Sequence, residues 1–352
     1  MNFARDVVDA ADAGALALVE LARGGRRRRE WRFGEVAEGS ARLAGWMAAR
    51  GVGRGDVVLT LVGNRPEWVM AMVACFRIGA VVLPCTEQLR PRDLAARVAV
   101  VSPVLVLADR RNADALTAAQ IPATFIDEPG LFDGPEIAEA VELGPLEACL
   151  ITFTSGTAGA PKAVLHGQRY LAGQAVQAAS WLAPEPGGLV WCTAASGWSK
   201  SARNVFIAPW LRGAPALLHD ARFDAAERLE VLERERVAVL CMAPTEYRAI
   251  AARVPLRAFP ALRGLVAAGE ALNPEVLRAW HEATGLAIRD GYGQTETGQL
   301  TGMPAGGEIR PGSMGRALPG TRLWVQDGEL VADPSTIPTF FLGYLGADGT
   351  VE

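Results

Sequence analysis

The stretch CLITFTSGTAGAPK, Cys149 to Lys162, begins as an apolar strand and breaks at Thr154 into a loop rich in glycine and hydroxyl groups. Loops at the carboxyl ends of parallel strands are where α/β sheets hold their ligands. Thr154, Ser155 and Thr157 supply hydroxyls, Gly156 and Gly159 let backbone N–H groups approach closely, and Lys162 adds charge. Of the 35 Lys and Arg residues only two are lysines, Lys162 and Lys200. A compact ammonium on a flexible stem, closing such a loop, suits a polyphosphate better than a planar guanidinium does. This is not a Walker loop, because Lys162 follows Pro161 and precedes Ala163.

On both sides of this loop, short apolar strands alternate with helix-period segments. Upstream, a helix is expected over 33–50, a strand over 57–62, a helix over 66–79, a strand over 81–83, a helix over 91–101, and strands over 104–107 and 123–126. Downstream, a helix is expected over 166–181, a strand over 189–192, a helix over 201–212 and a strand over 216–218. A helix capped by Asp224 and running to about Arg234, and a strand over 237–241, come next. A helix from Pro244, a strand over 264–268, a helix from Pro274 and a strand over 287–289 complete the run. The strands are brief and β-branched, as in parallel sheets covered on both faces, so the fold class is α/β with enough strands for two sheets. After about residue 305, Pro311, Gly312, Gly315, Pro319 and Gly320 punctuate short alternating strands, which read as a small antiparallel element.

Composition narrows the function. The 352 residues are 50% hydrophobic and 21% charged with a net charge of −4, which fits a globular protein and argues against a nucleic-acid or membrane-surface binder. The one basic block, Arg26 to Arg29, reads as a solvated loop. Cys75, Cys85, Cys149, Cys192 and Cys241 have no CxxC spacing and read as buried, reduced thiols in a cytoplasmic protein. His166, His219 and His281 are too scattered for a zinc site, and no apolar run is long enough to span a bilayer.

Three further segments carry chemistry. GYGQTETG, Gly291 to Gly298, lacks the third glycine of a dinucleotide fingerprint but offers an aromatic face in Tyr292, a hydroxyl in Thr295 and a carboxylate in Glu296. A carboxylate beside phosphates usually reaches them through Mg2+. AAGEALNPE, Ala267 to Glu275, turns from a strand into a helix, with Gly269 and Glu270 at the turn; GWSKS, Gly197 to Ser201, offers Trp198 as an apolar wall.

In this order and at these separations, TSGTAGAPK, AAGEALNPE and GYGQTETG resemble the adenylate-forming superfamily, and GEALNPEVLRAWHEATGLAIRDGYGQTETG looks closest to its medium-chain acyl-CoA synthetases. The resemblance implies a large N-terminal domain of two α/β subdomains, about 1–170 and 171–305, with residues 306–352 as part of a small distorted β-barrel. It also implies a reaction in which ATP and a carboxylic acid give an acyl-adenylate, which CoA then converts to a thioester. By the same resemblance, Thr154, Ser155, Gly156, Thr157, Gly159 and Lys162 would hold the β- and γ-phosphates. Tyr292 would stack on adenine with Gly269, Glu270, Asp290 and Gly291 around it, and Gly293 and Gln294 would belong to the same nucleotide site. Thr295 would touch the α-phosphate, Glu296 would bind Mg2+, and Trp198 would line the acyl pocket. The catalytic set is then Lys162, Thr295 and Glu296.

Two departures from the pattern stand out. Ala158 replaces a second loop threonine, and the sequence stops at Glu352 before the family's Thr-Gly-Asp segment and its C-terminal lid, so the lid is expected to be absent and adenylation by this chain weak. Two alternatives accompany the leading reading. One is a lidless pseudo-enzyme that binds nucleotide or acyl ligand, and the other is an adenylation domain that loads a carrier protein.

Overall fold

The computed structural model describes residues 1–23, 27–154 and 161–352. Its strands form two large mixed sheets and a separate hairpin. The first sheet has seven strands, ordered Gly343–Leu345, Ala163–Gly167, Ala148–Phe153, Val81–Pro84, Val57–Leu61, Leu105–Ala108 and Thr124–Phe125. The second has nine, ordered Arg316–Ala317, Gly298–Gly302, Ile288–Gln294, Gly264–Ala268, Val239–Met242, Val190–Cys192, Ala216–His219, Leu16–Leu21 and Arg28–Arg32. Central pairs are parallel, and the antiparallel pairs lie toward the edges. The expected α/β class with mostly parallel sheets is therefore what forms. In the 306–352 region the strands Leu323–Gln326 and Glu329–Ala332 pair only with each other, and the described residues close no barrel.

Alternation along the strands explains the layering. In Val57–Leu61, Val58 joins the large middle core, while Leu59 and Leu61 join an outer one with the helix Pro91–Val101. In Val239–Met242, Val239 and Cys241 face the same middle core, while Leu240 and Met242 face an opposite outer one under the helices Ala225–Arg234, Pro244–Arg253 and Pro274–Thr284. Period-2 side chains thus give each sheet two buried faces. The middle layer is built on the helices Phe33–Ala48 and Pro66–Ile78, the second of which is buried along almost its whole length. Among the described residues no helix is long and apolar enough to cross a membrane.

Local signals set many boundaries. Pro66, Pro91, Pro244 and Pro274 each open a helix, where a missing N–H costs nothing. The Asp224 side chain accepts from the Glu227 N–H, as a cap should. Three expectations are corrected. The helix expected over 166–181 begins only at Arg169, because Ala163–Gly167 is a strand whose five residues are all buried. The basic block is not wholly a loop: its last two residues, Arg28 and Arg29, open the edge strand Arg28–Arg32, antiparallel to Leu16–Leu21, with Arg28 paired to Glu235 and Arg29 to Glu35, while Arg27 precedes the strand and Arg26 lies outside the described residues. The strand expected over 287–289 is longer: Ile288–Gln294 runs into GYGQTETG as far as Gln294 and returns antiparallel as Gly298–Gly302.

Candidate active site

The strands Val190–Cys192, Val239–Met242 and Gly264–Ala268 lie side by side and end together. A cavity of about 940 Å3 opens at these ends, lined in part by Trp198, Lys200, Ala268 and Glu270. Trp198 is 53% exposed, so it forms a wall of the cavity and not part of the core. Gly269 turns out of its strand at φ 107°, a left-handed conformation that favours glycine, and a Cβ there would lie 3.2 Å from the Lys200 ammonium. Lys200 Nζ in turn donates to the Ala268 carbonyl at 3.0 Å. The second lysine is therefore held at the strand end beside Gly269 and Glu270, a role that its neighbours in sequence gave no sign of.

The next strand, Ile288–Gln294, carries Asp290, Gly291, Tyr292, Gly293 and Gln294. Register pairs Ala267 with Asp290 and Ala268 with Gly291, so the Gly269 turn and the Gly291–Gln294 segment are neighbours. Asp290 is buried, and burial lifts its carboxyl to about 6, opposed by the Gly291 N–H that donates to Oδ1 at 2.8 Å. Gly293 has no room for a side chain, because a Cβ would meet the Gly298 carbonyl across the hairpin. Tyr292 is half-buried, and its N–H donates to the Thr301 hydroxyl. Behind Thr295 lies the buried His166, stacked 4.1 Å from Tyr170. Burial, with Arg203 nearby, pushes His166 down to about 3, while its bond to the Thr295 carbonyl acts the other way, so the ring is neutral.

Lys162 and Glu296 are joined through a residue that the sequence reading did not single out. The Tyr344 hydroxyl donates to Glu296 Oε1 at 2.9 Å, and Lys162 Nζ sits 4.5 Å above the Tyr344 ring. Pairing of Gly343–Leu345 with Ala163–Gly167 brings Tyr344 beside Lys162, and the Phe341 N–H fixes the Glu296 carbonyl at 2.8 Å. Tyr344 and Glu296 are far apart in the chain, and no motif spacing links them. At the base of the loop the Thr154 N–H donates to the Lys162 carbonyl at 3.0 Å. The other loop residues, Ser155, Gly156, Thr157 and Gly159 with Ala158, lie outside the described residues.

Among the described residues no three His, Cys, Asp or Glu side chains converge as ligands for a metal ion. Glu296 stands as a single carboxylate bonded to the Tyr344 hydroxyl, a donor set that fits Mg2+ brought in on phosphates better than a resident metal. The five cysteines are free and buried, and burial raises Cys75 and Cys85 to about 12.

The sequence model of the AMP-binding enzyme family matches residues 5–336. An uncharacterized acyl–CoA ligase, YtcI of Bacillus subtilis (strain 168), is 33% identical over 322 residues, which cover 86% of this chain and 61% of that protein. The mitochondrial acyl-coenzyme A synthetase ACSM4 of Rattus norvegicus is 33% identical over 344 residues, covering 90% and 59%. The crystal structure of an acyl-CoA synthetase from Brucella canis superposes with a TM-score of 0.90 at 27% identity, over 98% of this chain and 69% of that one. The chain spans about 60% of the length of the curated relatives it matches.

Proposed function

The chain belongs to the AMP-binding enzyme family, among relatives that are acyl-CoA synthetases, and from that premise we propose that it activates a carboxylic acid with ATP and passes the acyl group to CoA. The observation that carries this reading is the convergence of Lys162, Tyr344 and Glu296 beside the Thr154–Lys162 loop. A carboxylate is a poor electrophile until one of its oxygens is made into a leaving group. Its attack on the α-phosphate expels pyrophosphate, and the charge that builds on the phosphate oxygens must be met by fixed positive groups.

In this proposal the loop residues Thr154, Ser155, Gly156, Thr157 and Gly159 cradle the β- and γ-phosphates, and Lys162 neutralises the departing pyrophosphate. Tyr292 stacks on the adenine, with Gly269, Glu270, Asp290, Gly291, Gly293 and Gln294 around it. Thr295 donates to the α-phosphate. Glu296 would hold Mg2+, which would supply positive charge to offset that of the phosphates. Trp198 borders the acyl group. CoA thiolate then attacks the acyl-adenylate carbonyl, forming the thioester and releasing AMP.

ATP–pyrophosphate exchange with a panel of carboxylic acids tests the reading. Weak acid-dependent exchange is expected, and Lys162→Met should lower its kcat/KM by about 100-fold, the scale for losing one fixed donor at developing charge. Absence of both exchange and ATP binding, measured by equilibrium dialysis, would defeat the proposal.

A further inference from the structure

The wall that carries Trp198 is held from the opposite sheet. Asn64 lies just beyond the strand Val57–Leu61, before the helix Pro66–Ile78, and is half-buried at the cavity. Its Nδ2 donates to the Ala194 carbonyl at 3.0 Å, and its Oδ1 accepts from the Ser196 N–H at 2.7 Å. Ala194 and Ser196 belong to the loop after Val190–Cys192, a strand of the second sheet. A residue in a parallel ladder bonds its neighbour in the same way, N–H to one carbonyl and C=O to the N–H two residues further on. The Asn64 carboxamide thus does for this loop what an adjoining strand does for a strand.

The first sheet grips the same loop at two more points. The Ser196 hydroxyl donates to the Val62 carbonyl. Gly197, at φ 89°, packs so close to the segment after Val81–Pro84 that a Cβ on it would run into the Thr86 backbone nitrogen. Trp198 comes next, and its N–H donates to the carbonyl of Ala195, the residue that the two Asn64 bonds bracket, at 3.3 Å. With its side chain 53% exposed, the ring has little packing of its own, and its place depends on the backbone beneath it. Lys200 has a separate anchor in the Ala268 carbonyl, so the turn at Gly269 and Glu270 does not hang on Asn64.

Resting on the ligase reading above, we propose that Asn64 is a positioning residue for the acid. By fixing residues 194–198 it sets the Trp198 wall, and through that wall the affinity for the acyl group. Both ends of its carboxamide are engaged by the loop, so it acts through Trp198 and not on the substrate itself.

The test is ATP–pyrophosphate exchange with straight-chain acids from butanoate to decanoate, in wild type, Asn64→Leu, Trp198→Ala and the double variant. Asn64→Leu keeps the size of the side chain and loses both bonds. Its KM for the acid exchanged fastest should rise about tenfold, with kcat and the KM for ATP within about twofold of wild type. In the Trp198→Ala background the same change should move the acid KM by less than about twofold, because the wall it positions is gone. Asn64→Asp keeps the acceptor for Ser196 and loses the donor to Ala194, so it should show the same selective effect at smaller size. Loop placement is read without activity by hydrogen exchange: the peptide containing Ser196 should exchange about tenfold faster in Asn64→Leu and less so in Asn64→Asp. An acid KM or a loop exchange rate unchanged in both variants overturns the inference and leaves the ligase reading intact. So does an equal rise in KM with and without Trp198, or a parallel loss in kcat and in the KM for ATP. Exchange with none of these acids or of the wider panel overturns the ligase reading and the inference with it.

Discussion

Replacing Asp290 by Asn should stabilise the protein at neutral pH, by an amount that the structure sets. Asp290 is 8% exposed, between the strand Gly264–Ala268 and the return strand Gly298–Gly302, and the described bond of its carboxyl is the one from the Gly291 N–H. Burial lifts the carboxyl from an ordinary 3.8 to about 6. The fold thus prefers the neutral form, and the gap corresponds to about 3 kcal/mol. Below pH 3.8 the group is protonated whether folded or unfolded, and no penalty applies. As pH rises, the unfolded chain ionises first, stability falls, and the full cost of about 3 kcal/mol is reached once pH exceeds 6. Asparagine keeps the acceptor for Gly291 but cannot ionise. Urea unfolding of both proteins across pH 4 to 8 should show a difference near zero at the acid end that grows to at most about 3 kcal/mol in favour of Asp290→Asn above pH 6. A difference that stays flat with pH, or a wild-type protein that is the more stable one at pH 7.5, would refute the reasoning. A carboxylate kept at such a cost is the pattern of a functional group, so the stabilised variant should also bind ATP less tightly.

Other outcomes follow from the same geometry. Tyr344→Phe removes the bond to Glu296 but leaves the ring under Lys162; Mg2+ half-saturation of ATP binding should rise about fivefold, with affinity at saturating Mg2+ nearly unchanged, whereas Tyr344→Leu should weaken both. An Mg2+ dependence identical to wild type in Tyr344→Phe would dismiss the coupling. Gly197→Ala drives a Cβ into the Thr86 backbone nitrogen at φ 89°, and thermal melts should show a loss of about 3 kcal/mol or more; a melting point within a degree of wild type would contradict it. Iodoacetamide with mass spectrometry should modify Cys192, whose thiol is drawn down by its bond with Cys241 and which lines the cavity, before Cys75 or Cys85, both pushed up to about 12; the reverse order would count against the assignment.

What the sequence revealed was what its neighbours decide. The helix Pro91–Val101 and the strand Gly264–Ala268 are read directly, because a proline start, a short apolar run and the following turn lie within a few residues of one another. The Asp224 cap is legible for the same reason. Ala163–Gly167 was hidden because all five of its residues are buried, which erases the period-2 contrast that marks a strand, and the helix beyond it supplies a competing pattern. Arg28–Arg32 carries charges that favour a loop, and only pairing with Leu16–Leu21 and the carboxylates of Glu30, Glu35 and Glu235 make it a strand. In the candidate site, Lys162 and Glu296 were legible from their motifs. Tyr344 was not, because its significance lies in a partner, Glu296, that only folding brings beside it.

The pairing of Gly343–Leu345 with Ala163–Gly167 also bears on how the chain is made. Those strands are roughly 180 residues apart, while Leu16–Leu21 must wait for Ala216–His219, roughly 200 residues downstream. During synthesis, neither large sheet can be finished when its earlier strands leave the ribosome. Each keeps an open edge until later segments emerge, and long-range closure of this kind is slow and exposed to aggregation. The first sheet should therefore close only after Gly343–Leu345 has emerged, and the second only after Arg316–Ala317, so that splitting the gene near residue 170 would yield two insoluble halves in place of two working modules.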